Sequence, residues 1–119
     1  MAARSAAIAS PRPIPSILAL SDFRFVIDMG KPCPISSTKS YIGHILGACG
    51  CVESWLTINM MNEGWFHPNV NLVNIDPECA PLDYITGEGR NINAEYVMAN
   101  NFAFGGVNTS LIFKKWSDK

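Results

Sequence analysis

The 119-residue chain is 48% apolar and sets 9 Lys+Arg against 10 Asp+Glu, a formal net charge of −1. Such a length and composition allow one domain with a modest core and exclude a disordered or collagen-like chain. With no clustered Lys/Arg there is no footprint for nucleic acid or an anionic membrane, and Glu53, Asn59 or prolines interrupt every apolar run short of the roughly 18 residues a bilayer span needs.

Residues 1–30 differ from the rest. They are Ala/Ser/Pro-rich at first, carry Arg4 and Arg12, and hold no acid before Asp22. Their composition is that of an unstructured or leader-like segment of the organelle-transit kind. The chain is therefore divided into this unrelated N-terminal segment and a domain over 31–119. Its expected setting is cytoplasmic, or plastid or mitochondrial if the segment is a leader. "KPCP" (31–34) is an extended connector, because each proline fixes its own φ and pushes its predecessor out of the helical region. "ISST" then reads as a strand end.

From about Gly43 to Asn62, "GHILGACGCVESWLTINMMN" predicts a helix, with Ile45, Cys49, Val52, Leu56 and Met60 on one stripe. Leu46, Ala48, Trp55 and Ile58 make its other faces apolar too, so it is expected to be buried on all sides as the middle layer of a larger protein. Gly47 and Gly50 each cost such a helix about 1 kcal/mol relative to Ala and are assigned to close backbone packing. "EGWFHPNVNLVNIDPECAPLD" reads as a long surface connection. Two strand-like runs, about 95–101 and 107–115, are joined by "FAFGG", where Gly105 and Gly106 supply the freedom of a tight reversal. The cysteines at 33, 49, 51 and 79 lack zinc or redox spacing and read as reduced structural thiols, with no metal site assigned to His44 or His67.

"STKSYIGHILGACG" (37–50), followed some sixty residues later by "NNFAFGGVN" (100–108), resembles the C-terminal half of a β-ketoacyl synthase, a condensing enzyme of the thiolase-like superfamily. Ser37, Lys39, Ser40, Gly43, His44, Gly47, Ala48 and Gly50 match S-x-K-S-x-x-G-H-x-x-G-A-x-G. Asn100, Phe102, Phe104, Gly105, Gly106 and Asn108 match N-x-F-G-F-G-G-x-N. The likeness covers about Lys31 to Trp116. It implies an α/β fold, the C-terminal half of a thiolase-like fold, with a buried helix on a mixed sheet that ends in a β-hairpin.

The resemblance implies an acyltransferase of fatty-acid biosynthesis that joins malonyl-ACP to an acyl thioester by decarboxylative Claisen condensation. No dissociable cofactor is implied, since acyl and malonyl groups ride on the phosphopantetheine of acyl carrier protein, which is the expected partner. His44 takes the role of donor to the enolate oxygen, its ring kept neutral by the positive end of a helix starting there. Lys39 is the fixed cation, paired with Glu53, a charge that otherwise makes little sense among Val52, Trp55 and Leu56. Gly43 leaves room for pantetheine, and Ser40 supports the motif. Phe104, with Phe102, Gly105 and Gly106, forms the acyl-pocket gate. Ala103 departs from the family's usual glycine and does not freely adopt positive φ.

Neither the acylated cysteine nor the H-G-T histidine of the family occurs in residues 1–38, so the chain alone is expected to be inactive. Three readings stay open: part of a condensing enzyme that homodimerises or pairs with a complementary half, a noncatalytic partner like a chain-length factor, or a polyketide synthase fragment.

Overall fold

The computed structural model describes residues 33–79, 81–103 and 105–117, together with the backbone of 6–10. Five strands form one mixed sheet in the order β4-β2-β1-β6-β7, from β1 (Ala6–Ser10), β2 (Pro34–Ser36), β4 (Asp83–Tyr84), β6 (Tyr96–Phe102) and β7 (Asn108–Lys114). β2 and β4 run parallel, β1 is antiparallel to both β2 and β6, and β6 and β7 make the C-terminal hairpin. A two-stranded ribbon, β3 (Trp65–Phe66) with β5 (Arg90–Asn91), stands beside it. The hairpin follows the sequence pattern closely, with a register from Tyr96↔Lys114 to Phe102↔Asn108.

The long helix is shorter than its sequence pattern predicts. Lys39–Ile42 forms a single helical turn (α1), Leu46–Ala48 a 3₁₀ turn, and only Cys49–Glu63 the α-helix proper (α2). Two backbone conformations cause the break. Gly43 sits at φ +69°, where only glycine is free of strain, and its N–H closes α1 on the Lys39 carbonyl at 3.0 Å. Leu46 is also left-handed, at φ +54°, which a residue with a Cβ adopts only at a cost.

The buried stripe of α2 also differs from the expected one. Cys49, Glu53, Thr57, Met60 and Met61 are buried, whereas Val52 and Leu56 are half-buried and Trp55 is 64% exposed. Within this chain the helix packs chiefly on β6, so one face is covered and the Trp55 face is open. Met60, Met61, Phe66, Ile85, Ala94 and Val97 form the core, with Ile92 and Phe113 packed against it. Each large apolar side chain fully buried there contributes about 1.5–3 kcal/mol. Among the described residues no helix is long and apolar enough to cross a membrane.

Two further elements escape the sequence pattern. β1 falls in the segment expected to be leader-like or unstructured, because Ala-Ala-Ile-Ala-Ser has little β-propensity and is placed by pairing with strands on both sides. Residues 11–32 lie outside the described residues. β3, the first strand of the two-stranded ribbon, lies within the predicted surface connection, and its Phe66 is a core residue at 1% exposure. It depends on Gly89, whose φ is +86° and where an added Cβ would lie 2.7 Å from the Phe66 carbonyl oxygen and 2.8 Å from the Trp65 ring. Gly89→Ala is expected to cost at least about 1–2 kcal/mol from backbone strain alone, and more from the clash with backbone. Denaturant midpoints of the two proteins check this; equal midpoints would show that the ribbon yields freely.

Candidate functional site

The motif residues lie where β2 hands over to α1 and the loop before α2. Asn69 ties this corner together. Its N–H donates to the Ile85 carbonyl (2.8 Å), its Nδ2 donates to the carbonyls of Ile35 (3.1 Å) and Ile85 (3.0 Å), and its Oδ1 accepts the Ser37 N–H (2.9 Å). Ser40 completes the brace: its hydroxyl donates to the Ser37 carbonyl (2.8 Å) and accepts the Val70 N–H (3.2 Å). Ser40 therefore anchors the loop after β3 to α1.

Lys39 projects from α1 onto α2, where its Nζ meets Glu53 Oε1. Their side chains are 13% and 2% exposed, so the expected ion pair is present and largely out of water. Glu53 takes its place on the buried stripe because Lys39 is there to meet it. Its second oxygen, Oε2, has no hydrogen-bond partner among the described residues, nor has the Ser54 hydroxyl. A buried carboxylate with one oxygen unmatched is costly, which makes its remaining partner all the more necessary.

His44 does not stand in the first turn of a helix as the sequence suggests. It is exposed, between the Gly43 break and the 3₁₀ turn, with α2 beginning five residues on at Cys49. The loop orients the ring instead of the helix end. His44 Nδ1 accepts the Leu46 N–H at 3.0 Å and lies 3.5 Å from the Cys49 sulfur, which itself accepts the Ile45 N–H at 3.1 Å. A ring nitrogen that accepts carries no proton, so Nε2 holds the N–H and is left as a donor. The left-handed Leu46 is what brings its N–H back to the ring, so the strained residue sits where it orients a functional group.

Gly50, in the first turn of α2, stands near the end of β6: an added Cβ would lie 3.8 Å from Asn101 Nδ2, an ordinary contact. Among the described residues nothing lies within 4 Å of such an atom at Gly47, so the close backbone packing expected of these two glycines is not seen among them. Phe102 is half-buried at the end of β6, and Gly105 and Gly106 form the exposed turn, closed by Gly106 N–H to the Ala103 carbonyl (3.0 Å) and Ala103 N–H to the Val107 carbonyl (3.3 Å). Ala103 is not left-handed; Gly106 is, at φ +82°, so alanine fits the turn without strain. Phe104 lies outside the described residues, and so does its distance from His44.

Sequence reasoning passed over a second constellation. His67 Nδ1 donates to the Pro68 carbonyl (2.8 Å), leaving Nε2 to accept from the buried Ser36 hydroxyl (3.3 Å), and Tyr41 stands edge-on to the ring at 5.0 Å. Burial lowers the His67 pKa against the smaller opposing effect of the Pro68 carbonyl, which suits a neutral, structural histidine linking β2 and α1 to the loop after β3. Only the burial of its neighbours could have flagged it. Burial, assisted by Asp83, pushes the Cys33 thiol up to about 12, so it stays protonated and unreactive. Among the described residues no three His, Cys, Asp or Glu side chains are grouped to hold a metal ion.

Comparison with known proteins identifies what the chain is similar to. The model of the β-ketoacyl synthase C-terminal domain matches residues 19–73. A 3-oxoacyl-acyl-carrier-protein synthase 2 from Synechocystis is 44% identical over 82 residues, covering 69% of this chain and 20% of the relative. A chloroplastic 3-oxoacyl-acyl-carrier-protein synthase II from Arabidopsis thaliana is 40% identical, covering 66% and 15%. A β-ketoacyl synthase crystal structure from Burkholderia phymatum superposes with a TM-score of 0.73 at 60% identity, covering 78% of this chain and 23% of that one. The chain thus spans about a fifth of the length of the curated synthases named here. It belongs to the β-ketoacyl synthase family, of which it carries part of the C-terminal domain in a thiolase-like fold.

Proposed function

We propose that this chain supplies the malonyl-activating side of a 3-oxoacyl-acyl-carrier-protein synthase of fatty-acid biosynthesis. The observation that carries the reading is the exposed His44 ring, held through Nδ1 by the Leu46 N–H so that Nε2 keeps the proton, on the loop that joins the Lys39 turn to the Glu53 helix. When a malonyl thioester loses CO2, negative charge gathers on the thioester oxygen. A donor already in place there stabilises that transition state more than the ground state. Lys39, fixed by Glu53, adds positive charge nearby without mobile solvent. The nearness of Gly50 to Asn101, whose Nδ2 would lie 3.8 Å from a Cβ added at Gly50, supports a single cleft, because it brings the start of α2 and the hairpin end of β6 to one edge.

Acyl and malonyl groups reach this cleft as phosphopantetheine thioesters of acyl carrier protein. The acylated cysteine comes from a complementary synthase half. Of the four cysteines here, Cys49 is buried beside His44 and burial holds Cys33 protonated, while Cys51 and Cys79 are exposed.

Mixed with acyl and malonyl carrier-protein thioesters, the purified chain is expected to yield no 3-oxoacyl product. Adding a polypeptide that carries the family's cysteine-bearing half is expected to yield product and CO2 together. Turnover by the chain alone that vanished on Cys49→Ser or Cys51→Ser would overturn the assignment.

A further inference from the structure

One imidazole ties together three parts of the corner that carries Lys39. His67 directly follows β3, and its ring lies against the last residue of β2, against α1 and against its own loop. Nδ1 donates to the Pro68 carbonyl at 2.8 Å, so Nε2 keeps its lone pair and accepts from the Ser36 hydroxyl at 3.3 Å; the same oxygen stands 3.0 Å from Nδ1. The Tyr41 ring meets the imidazole edge-on, 5.0 Å between centroids. Ser36 is buried, and among the described residues its hydroxyl meets no acceptor other than this ring. Two backbone ties of the corner lie beside it, Ser37 N–H to Asn69 Oδ1 (2.9 Å) and Val70 N–H to the Ser40 hydroxyl (3.2 Å).

Nothing in these surroundings prepares the ring for a positive charge. From α1 it faces the Tyr41 ring, and the Lys39 ammonium of the same turn is engaged by Glu53. From β2 it faces an uncharged hydroxyl, with Cys33 just before that strand held protonated. Its own loop offers a carbonyl, and Arg90 and Asp83 of the neighbouring strands pair with each other. Among the described residues no carboxylate stands within ion-pair distance of it. A proton on Nε2 would make both ring nitrogens donors. Ser36 must then accept, its own proton is left without an acceptor away from water, and a cation lies half-buried with no counter-charge. Swinging the ring out past the exposed Tyr41 relieves both costs.

We propose that Ser36, His67 and Tyr41 form a proton-operated latch: with the His67 ring neutral it pins the loop after β3 to β2 and α1, and with the ring charged it opens and loosens the turn that carries Lys39. Burial lowers the His67 pKa from its ordinary 6.5, against a smaller opposite effect of the Pro68 carbonyl. Between the ordinary and the lowered value the unfolded chain binds more protons than the folded one. Stability from the latch is therefore fully present above about pH 6.5 and is lost as pH falls through the window below it. Any effect on condensation rests on the function proposed above, whereas the latch is read in this chain alone, without a condensation assay.

Urea midpoints of the full chain and of His67→Gln, measured between about pH 7.5 and about pH 5.5, test the latch in a range where ordinary carboxylates stay ionised. Glutamine can donate to Pro68 and accept from Ser36 but gains no charge. The parent midpoint is expected to fall toward acid more steeply than that of His67→Gln. Amide hydrogen exchange, corrected for its intrinsic pH dependence, is expected to show the Ser37 and Val70 N–H groups losing protection on acidification relative to the amides of α2, in the parent and not in the variant. Should His67→Gln fold poorly, NMR titration of the His67 ring in the parent and in Ser36→Ala takes its place. The parent ring is expected to titrate below 6.5 and to move to higher pH once the hydroxyl is gone. Equal pH slopes in the two chains, a titration unmoved by Ser36→Ala, or unchanged protection of Ser37 and Val70 as the ring gains its proton would overturn the latch.

Discussion

Lys39→Met is expected to cost about 3–5 kcal/mol, because it leaves the Glu53 carboxylate buried with neither oxygen matched. Against the roughly 5–15 kcal/mol that holds a typical domain together, such a loss decides whether the chain folds. Glu53→Gln is expected to be milder, since the Lys39 ammonium retains 13% exposure and can turn toward water. The double variant Lys39→Met/Glu53→Leu removes both charges and is expected to recover most of the loss, since hydrophobic replacements for a buried pair are often neutral or stabilising. Urea unfolding of the parent, Lys39→Met, Glu53→Leu and the double variant forms a double-mutant cycle, and a double variant as unstable as Lys39→Met would show that packing around position 39 matters more than charge. If, in an assembled synthase containing this chain, stability returns and condensation does not, the pair serves the reaction rather than the fold. An apolar pair would serve the fold as well.

The legible parts of this structure are those that one chain segment settles by itself. The β6–β7 hairpin follows from alternating runs around Gly105-Gly106, and the Lys39–Glu53 pair follows from a lone acid in an apolar stretch that needs a partner. The family follows from two linked motifs. Sequence was misleading where distant segments decide. Apolar periodicity runs through Gly43 to Asn62 without interruption, so nothing in it marks Leu46 as left-handed; the deviation comes from the loop that returns the Leu46 N–H to His44. The stripe was misplaced because Glu53 and Thr57 are buried by what they face, Lys39 and β6, and hydropathy assigns such residues to solvent. β1 is not legible because four small residues around Ile8 carry little β-propensity and take strand geometry from the strands they pair with on both sides. Trp55, 64% exposed, and Trp116, 85% exposed, agree with the reading of a helix and hairpin that expect more neighbours than this chain provides.

In an assembled synthase containing this chain, His44→Ala is expected to slow malonyl decarboxylation about 10²–10³-fold, the usual cost of removing one preplaced donor from a developing oxyanion. Acylation of the cysteine in the complementary half should change little, because the enolate arises only in the second half-reaction. A structural role would behave differently. His44 is exposed, and among the described residues its ring meets the Leu46 N–H and the Cys49 sulfur at the start of α2, so its loss removes little packing and the melting temperature should hold within a few degrees. The two half-reactions separate by assay: mass spectrometry of the acyl-enzyme reports the first, and labelled CO2 release reports the second. His44→Gln is the sharper probe, since its amide can still donate but cannot be held by the Leu46 N–H in the same ring geometry. Partial recovery with glutamine would identify donation as what histidine contributes, and recovery to full rate would show that the tautomer set by Leu46 is dispensable. Equal loss of acylation and decarboxylation in His44→Ala would instead point to a collapsed cleft, and the assignment of the enolate donor to His44 would fall.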